Sequence, residues 1–136
     1  MASEASQITI ERDPDEVWAL VGQFGDLSYM PGVESCTVEG DVRTVSTMGM
    51  EIKEQLVARR DEDRSFTYAI VGGAVPVDSH EATVSVQPEG DASRVTWAVT
   101  VTPDDAVGLF VPVYEGSLKA LKAHLEGGTG EPVPAS

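Results

Sequence analysis

Between Val107 and Leu125, the residues Val107, Val111, Tyr114, Leu118, Leu121 and Leu125 recur at alternating steps of four and three. That spacing is the apolar stripe of one helix face. It predicts one long helix, firm from Pro112 to Leu125 after a looser turn over Ala106 to Phe110. The break is expected because proline cannot donate to the preceding turn and disfavours α geometry at Val111. Most of the remaining chain alternates with a period of two. Ser6, Ile8 and Ile10 mark a strand from about Glu4 to Arg12, and Glu34, Cys36 and Val38 share one face of another. Phe66, Tyr68 and Ile70 mark a further strand, as do His80, Ala82, Val84 and Val86, and finally Val95, Trp97, Val99 and Val101.

The punctuation between these patterns fixes their order. Asp13-Pro14-Asp15-Glu16 reads as a helix start, with Asp13 as N-cap and Glu16 three residues on. This helix buries Val17, Leu20 and Val21 and ends near Gly22, and a second short helix runs from Gly25 to Tyr29 before Pro31-Gly32. Arg43 to Met50 and Met50 to Asp61 form a hairpin about Met48-Gly49. A two-residue loop there makes paired residue numbers sum to 97, placing Arg43 opposite Glu54 and Val45 opposite Ile52. The order is therefore one strand, two short helices, six strands and one long helix. Seven antiparallel strands with a single apolar face have no second sheet to pack on, so the sheet must curl around the terminal helix, an α+β arrangement.

Composition narrows the partners. At 136 residues and 41% hydrophobic, the chain suits a single domain, expected over 1–128, with a disordered tail over 129–136. A formal charge of −14 repels phosphate backbones and anionic membrane surfaces, so nucleic acid is not an expected partner. Cys36 is the only cysteine, Met1 to Gln7 lacks the apolar core of a signal peptide, and no stretch reaches the roughly 20 apolar residues of a membrane span. A cytoplasmic protein with no membrane insertion is the expectation. Monomer and homodimer are equally compatible with the pattern.

Short words spread along the chain carry a resemblance. They include Val17-Trp18, Phe24-Gly25-Asp26-Leu27, Pro31-Gly32-Val33-Glu34-Ser35-Cys36, Glu54-Gln55-Leu56, Tyr68-Ala69-Ile70, Ala82-Thr83-Val84-Ser85-Val86 and Val95-Thr96-Trp97. In this order they resemble the START-like, or SRPBCC, helix-grip superfamily, and within it the polyketide cyclase/dehydrase and lipid transport group. Where that family usually has a tryptophan this chain has Tyr29, and its usual tyrosine is His80 here. The resemblance implies a curved sheet gripping the long helix, and a cavity for a hydrophobic ligand between them. Activities in the superfamily range from lipid binding to polyketide cyclisation, so it implies a pocket more firmly than a reaction.

Strand parity puts Cys36, Arg43, Glu54, Tyr68, His80 and Trp97 on inward faces, among Val38, Ile52, Leu56, Phe66 and Val99. Arg43 and Glu54 then either neutralise each other as a structural pair or anchor a polar ligand atom. His80 is the best acid-base candidate, with Glu54 and Tyr68 beside it, for a cyclase, aromatase or dehydratase; the alternative is a histidine that merely lines the pocket. The candidate ligand-binding residues are Arg43, Trp97, Phe66, Tyr114, Phe110, Cys36 and Tyr29, with Met30, Met48, Met50 and the Gly72 to Pro76 loop at the mouth. Cys36 is either a small buried side chain or a nucleophile paired with His80. His124, in the last helical turn, reads as a surface residue. Two histidines and one cysteine, widely spaced, give no metal-ligand pattern, and no phosphate loop or dinucleotide fingerprint occurs, so neither a metal nor a cofactor is expected.

Overall fold

The computed structural model describes residues 2–27, 29–30, 32–47, 49–73 and 77–126. The chain runs β1 (Ala2–Ile10), α1 (Pro14–Val21), β2 (Val33–Glu39), β3 (Val42–Thr47), β4 (Met50–Arg60), β5 (Ser65–Gly73), β6 (Ser79–Glu89), β7 (Ala92–Thr102) and α2 (Val107–Glu126). The seven strands form one antiparallel sheet in the order β1-β7-β6-β5-β4-β3-β2. Its central strands bury the alternate residues expected: Phe66 and Tyr68, Ala82, Val84 and Val86, and Val95, Trp97, Val99 and Val101. The β3–β4 hairpin has the register that its turn implies, with Arg43 opposite Glu54 and Val45 opposite Ile52.

Helix α1 starts as its sequence demands, the Asp13 carboxylate accepting from the backbone N–H of Asp15 at 3.0 Å, with Pro14 in the first turn. The second short helix expected from Gly25 to Tyr29 does not form. The backbone N–H of Asp26 donates to the Gln23 carbonyl, and that of Met30 to the Leu27 carbonyl, so the described residues there make separate tight turns. With Pro31 and Gly32 so close, there is no room to propagate a helix past its costly first turn.

Two further expectations change. The helix does not break at Pro112: a short 3₁₀ turn at Asp104–Ala106 leads directly into α2, which is continuous from Val107 to Glu126. Pro112 is the sixth residue of α2 and withholds the bond that the Gly108 carbonyl would receive, but Phe110 and Tyr114 on either side of it are buried and hold the helix through it. In β2 the pairing shifts between Val33 and Ser35, so Val33 rather than Glu34 opposes Thr47. This bulge puts Val33 on the concave face with Cys36 and turns Glu34 to solvent. Val38 keeps its inward parity but remains 48% exposed, because β2 is the edge of the sheet.

Bulges also shape β4 and β5. Val57 and Val71 are the extra residues in the two strands, and both are exposed. Beyond the second bulge Gly73 adopts φ +112°, and a Cβ there would collide with the Glu51 carbonyl, so the two strands approach in a way that only glycine allows.

Helix α2 lies chiefly along β1 and β7. Its C-terminal end is tied down: Lys122 Nζ donates to the Thr9 carbonyl at 2.6 Å, and the Glu11 N–H donates to the Glu126 carboxylate at 2.6 Å. Leu118 and Leu121 are fully enclosed in the core, while Leu125 is half-buried and His124 is exposed. The N-terminal half reaches the sheet through Tyr114, which stacks on Trp97 and meets the Tyr68 hydroxyl, and space remains between it and the strands β3 and β4. The tail expected at 129–136 lies outside the described residues.

Candidate functional site

The space between the N-terminal half of α2 and the strands β3, β4 and β5 is a cavity of about 510 Å³. Its wall is mainly apolar, with Leu27, Val33, Val45, Ile52, Ile70 and Phe110 among its residues. Leu109, Val113 and Met50 belong to the lining yet are 52%, 46% and 38% exposed, so they mark the mouth. Thr47 and Ser117 in the lining donate their hydroxyls to the Gly32 and Val113 carbonyls, and the other polar side chains of the wall belong to two groups.

The first is Arg43 with Glu54. Arg43 Nε donates to Glu54 Oε1 at 2.7 Å and its Nη1 donates to the Phe24 carbonyl at 2.7 Å. The guanidinium carbon lies 4.2 Å from the centre of the Phe24 ring and 4.8 Å from that of Tyr68. Burial works against the charge of Arg43, but the Glu54 carboxylate, together with Tyr68 and Cys36, outweighs it and holds its pKa above the ordinary value. This is a buried ion pair clamped between two aromatic faces, and it fastens the α1–β2 connection to the sheet.

The second is a chain of aromatic side chains. Trp97 Nε1 donates to the Tyr68 hydroxyl at 3.0 Å, the Tyr68 and Tyr114 hydroxyls are 3.5 Å apart, and the Tyr114 hydroxyl is 3.0 Å from His80 Nε2. Trp97 and Tyr114 stack with ring centres 4.7 Å apart. Desolvation raises both tyrosine pKa values far above the ordinary phenol range, so both hydroxyls stay protonated. His80 is held where the sheet opens. The β5–β6 ladder runs only from Ser65 opposite Ser85 to Tyr68 opposite Ala82, and the next inward N–H, that of Ile70, donates to His80 Nδ1 at 3.3 Å. The imidazole thus takes the place of a missing strand hydrogen bond.

Burial lowers the His80 pKa from about 6.5 to about 4. The folded protein therefore keeps the ring neutral between these values, while the unfolded chain takes up a proton. Stability from this group is fully present above pH 6.5 and declines as the pH falls toward 4. Thermal unfolding at pH 7 and pH 5 should show a larger loss for the wild type than for His80→Gln. An equal loss in both would contradict the assignment.

Of the residues expected at the site, Arg43, Glu54, Tyr68, Trp97, Phe110 and Tyr114 line the cavity, as do Met30 and Met50. His80 stands behind Tyr114, outside the lining, only 5% exposed. Phe66 lies beneath Tyr68 against Trp18 and Phe24. Cys36 is half-buried opposite Val45, with its thiol pKa raised by burial, and does not face His80 across a bond. Tyr29 is buried in the α1–β2 connection, its hydroxyl pKa pushed up to about 12 by desolvation. Met48 and 74–76 lie outside the described residues. The expectations missed Val33, which only the β2 bulge brings inward, and Leu109 and Val113, which sit beside the apolar stripe of α2. Their four-residue spacing next to that stripe was the available signal. Among the described residues no group of three or more His, Cys, Asp or Glu side chains is placed to hold a metal.

One family model, polyketide cyclase / dehydrase and lipid transport, matches residues 1–126 of the chain. The chain belongs to this family. The polyketide cyclase/dehydrase and lipid transport fold recurs in the solved structure of XoxI from Bacillus cereus, which is 32% identical with a TM-score of 0.84 over 90% of this chain and 94% of that one. A protein of Bacillus thuringiensis is 29% identical, with a TM-score of 0.85 over 92% of this chain and 99% of that one. Ara h 8.0201, at 16% identity, has the same fold, with a TM-score of 0.76 over 92% of this chain and 97% of that one. No curated protein matches the chain. No helix of the described residues is long and apolar enough to cross a membrane.

Proposed function

We propose that this protein binds a small hydrophobic molecule, lipid-, aromatic- or polyketide-like, in the cavity beneath the N-terminal half of α2. The observation that carries this is the cavity itself: about 510 Å³, walled mainly by apolar side chains, with a few polar groups among them. Ligand pockets of roughly 300 to 1,000 Å³ with a few convergent polar groups have this character. Family membership supports the same reading. The single thiol and the acidic surface suit a cytoplasmic site of action. A neutral apolar fluorophore, N-phenylnaphthylamine, should brighten on titration into the protein, saturate at one equivalent and raise the unfolding temperature. Unsaturable brightening with no thermal shift would remove the reading.

A cyclase, aromatase or dehydratase is the second reading. One observation favours it: the contact of His80 Nε2 with the Tyr114 hydroxyl gives the imidazole an indirect route to the cavity. Against it, a ring with a pKa near 4 is a weak base at neutral pH, and both of its nitrogens are engaged. The enzymatic reading requires that His80→Gln abolish turnover of a polyketide intermediate while leaving binding intact.

A further inference from the structure

The cluster of Trp97, Tyr68, Tyr114 and His80 carries one more hydrogen than it can share. The Ile70 N–H donates to His80 Nδ1, and the neutral tautomer that matches this bond carries its hydrogen on Nε2, which then donates to the Tyr114 hydroxyl 3.0 Å away. The indole N–H of Trp97 donates to the Tyr68 hydroxyl at 3.0 Å. An indole accepts nothing in return. Between the two hydroxyls, 3.5 Å apart, one phenolic hydrogen is used, whichever way that bond runs. The other phenolic hydrogen has no oxygen or nitrogen acceptor within the cluster. With Tyr68 donating, as the geometry has it, the surplus hydrogen is that of Tyr114, whose oxygen already accepts from both Tyr68 and His80. Both tyrosines line the cavity. The lining carboxylate, Glu54, is held through Oε1 by Arg43 Nε rather than by either tyrosine hydroxyl.

We propose that the ligand presents a neutral carbonyl-type oxygen, that of a ketone, ester or enone, to the Tyr68–Tyr114 hydroxyl pair and accepts the surplus hydrogen. This inference rests on the binding reading above and names the ligand's chemical class. A hydrocarbon would leave the donor unsatisfied, and a protonated amine, which can only donate, would meet a Tyr114 oxygen whose lone pairs are already taken. An anion is disfavoured because the positive charge of Arg43 is already matched by Glu54, and because the whole chain carries −14. Burial keeps both hydroxyls protonated, so the donor is present throughout the physiological pH range.

Three probes of one shape test this: methyl naphthyl ketone, its isostere isopropenylnaphthalene, and naphthoate. The ketone should bind about tenfold more tightly than the hydrocarbon, as one satisfied buried donor implies, and more tightly than the anion. The labelled carbonyl carbon of the bound ketone should show the downfield NMR shift of a hydrogen-bonded carbonyl. In the Tyr68→Phe/Tyr114→Phe variant that shift should disappear and the preference should shrink to within about twofold. If ketone and hydrocarbon bind the wild type equally, with the carbonyl shift of an apolar solvent, this inference falls while the binding reading stands. Tighter binding of naphthoate would overturn the neutral class alone. If none of the three binds at millimolar concentration, the binding reading and this inference fall together.

Discussion

Replacing Arg43 with leucine lowers the stability of the fold by about 3 to 5 kcal/mol in urea unfolding, the usual penalty for breaking a buried ion pair. The side chains of Arg43 and Glu54 are 3% and 13% exposed, so removing one leaves the other a charge with little access to water. Arg43→Leu also strands the Phe24 carbonyl and removes the cation from between the Phe24 and Tyr68 rings. The double variant Arg43→Leu/Glu54→Leu should recover part of the loss, since it leaves no unmatched charge. A double variant less stable than either single one would show that the clamp on Phe24, not the ion pair, holds this side of the sheet.

Leu121→Ala is expected to cost about 2 to 5 kcal/mol, because Leu121 is wholly enclosed and its neighbours are fixed by the sheet. It lies on the half of α2 that is tied to β1 through Lys122 and Glu126, where the core has little freedom to collapse into the space left behind. Affinity for N-phenylnaphthylamine should be unchanged, since Leu121 is not part of the cavity wall. A stability loss below about 1 kcal/mol would mean that the C-terminal half of the helix is not the anchored half.

The contrast between the two halves of α2 also indicates what can be read in a sequence and what cannot. Period-two alternation placed Tyr68, Trp97 and the β6 valines on the buried face, because a half-buried strand must alternate. The turn at Met48-Gly49 set Arg43 against Glu54 by arithmetic alone. Bulges are silent in such a pattern, since one inserted residue shifts parity without changing composition; Val33 was therefore missed, and Glu34 was placed on the wrong side. Pro112 is an interior helix position, where proline ordinarily breaks the helix, and the local pattern does not reveal that burial of Phe110 and Tyr114 on either side carries the helix through it. His80 had the right parity, but nothing in the sequence could reveal that its imidazole would fill a gap in the β5–β6 ladder behind Tyr114.

Gly116 gives the most direct test of the cavity. It lies on the cavity-facing half of α2, and a Cβ added there meets nothing within 4 Å. A larger side chain at this position therefore enters open space, and removing a glycine from a helix interior is favourable by about 0.5 to 1 kcal/mol. The decisive measurement is the N-phenylnaphthylamine binding isotherm of Gly116→Leu beside that of the wild type, with urea unfolding of both. A cavity that binds its ligand under α2 predicts at least tenfold weaker binding in a variant as stable as the wild type or more so; unchanged affinity in that stable variant would contradict it.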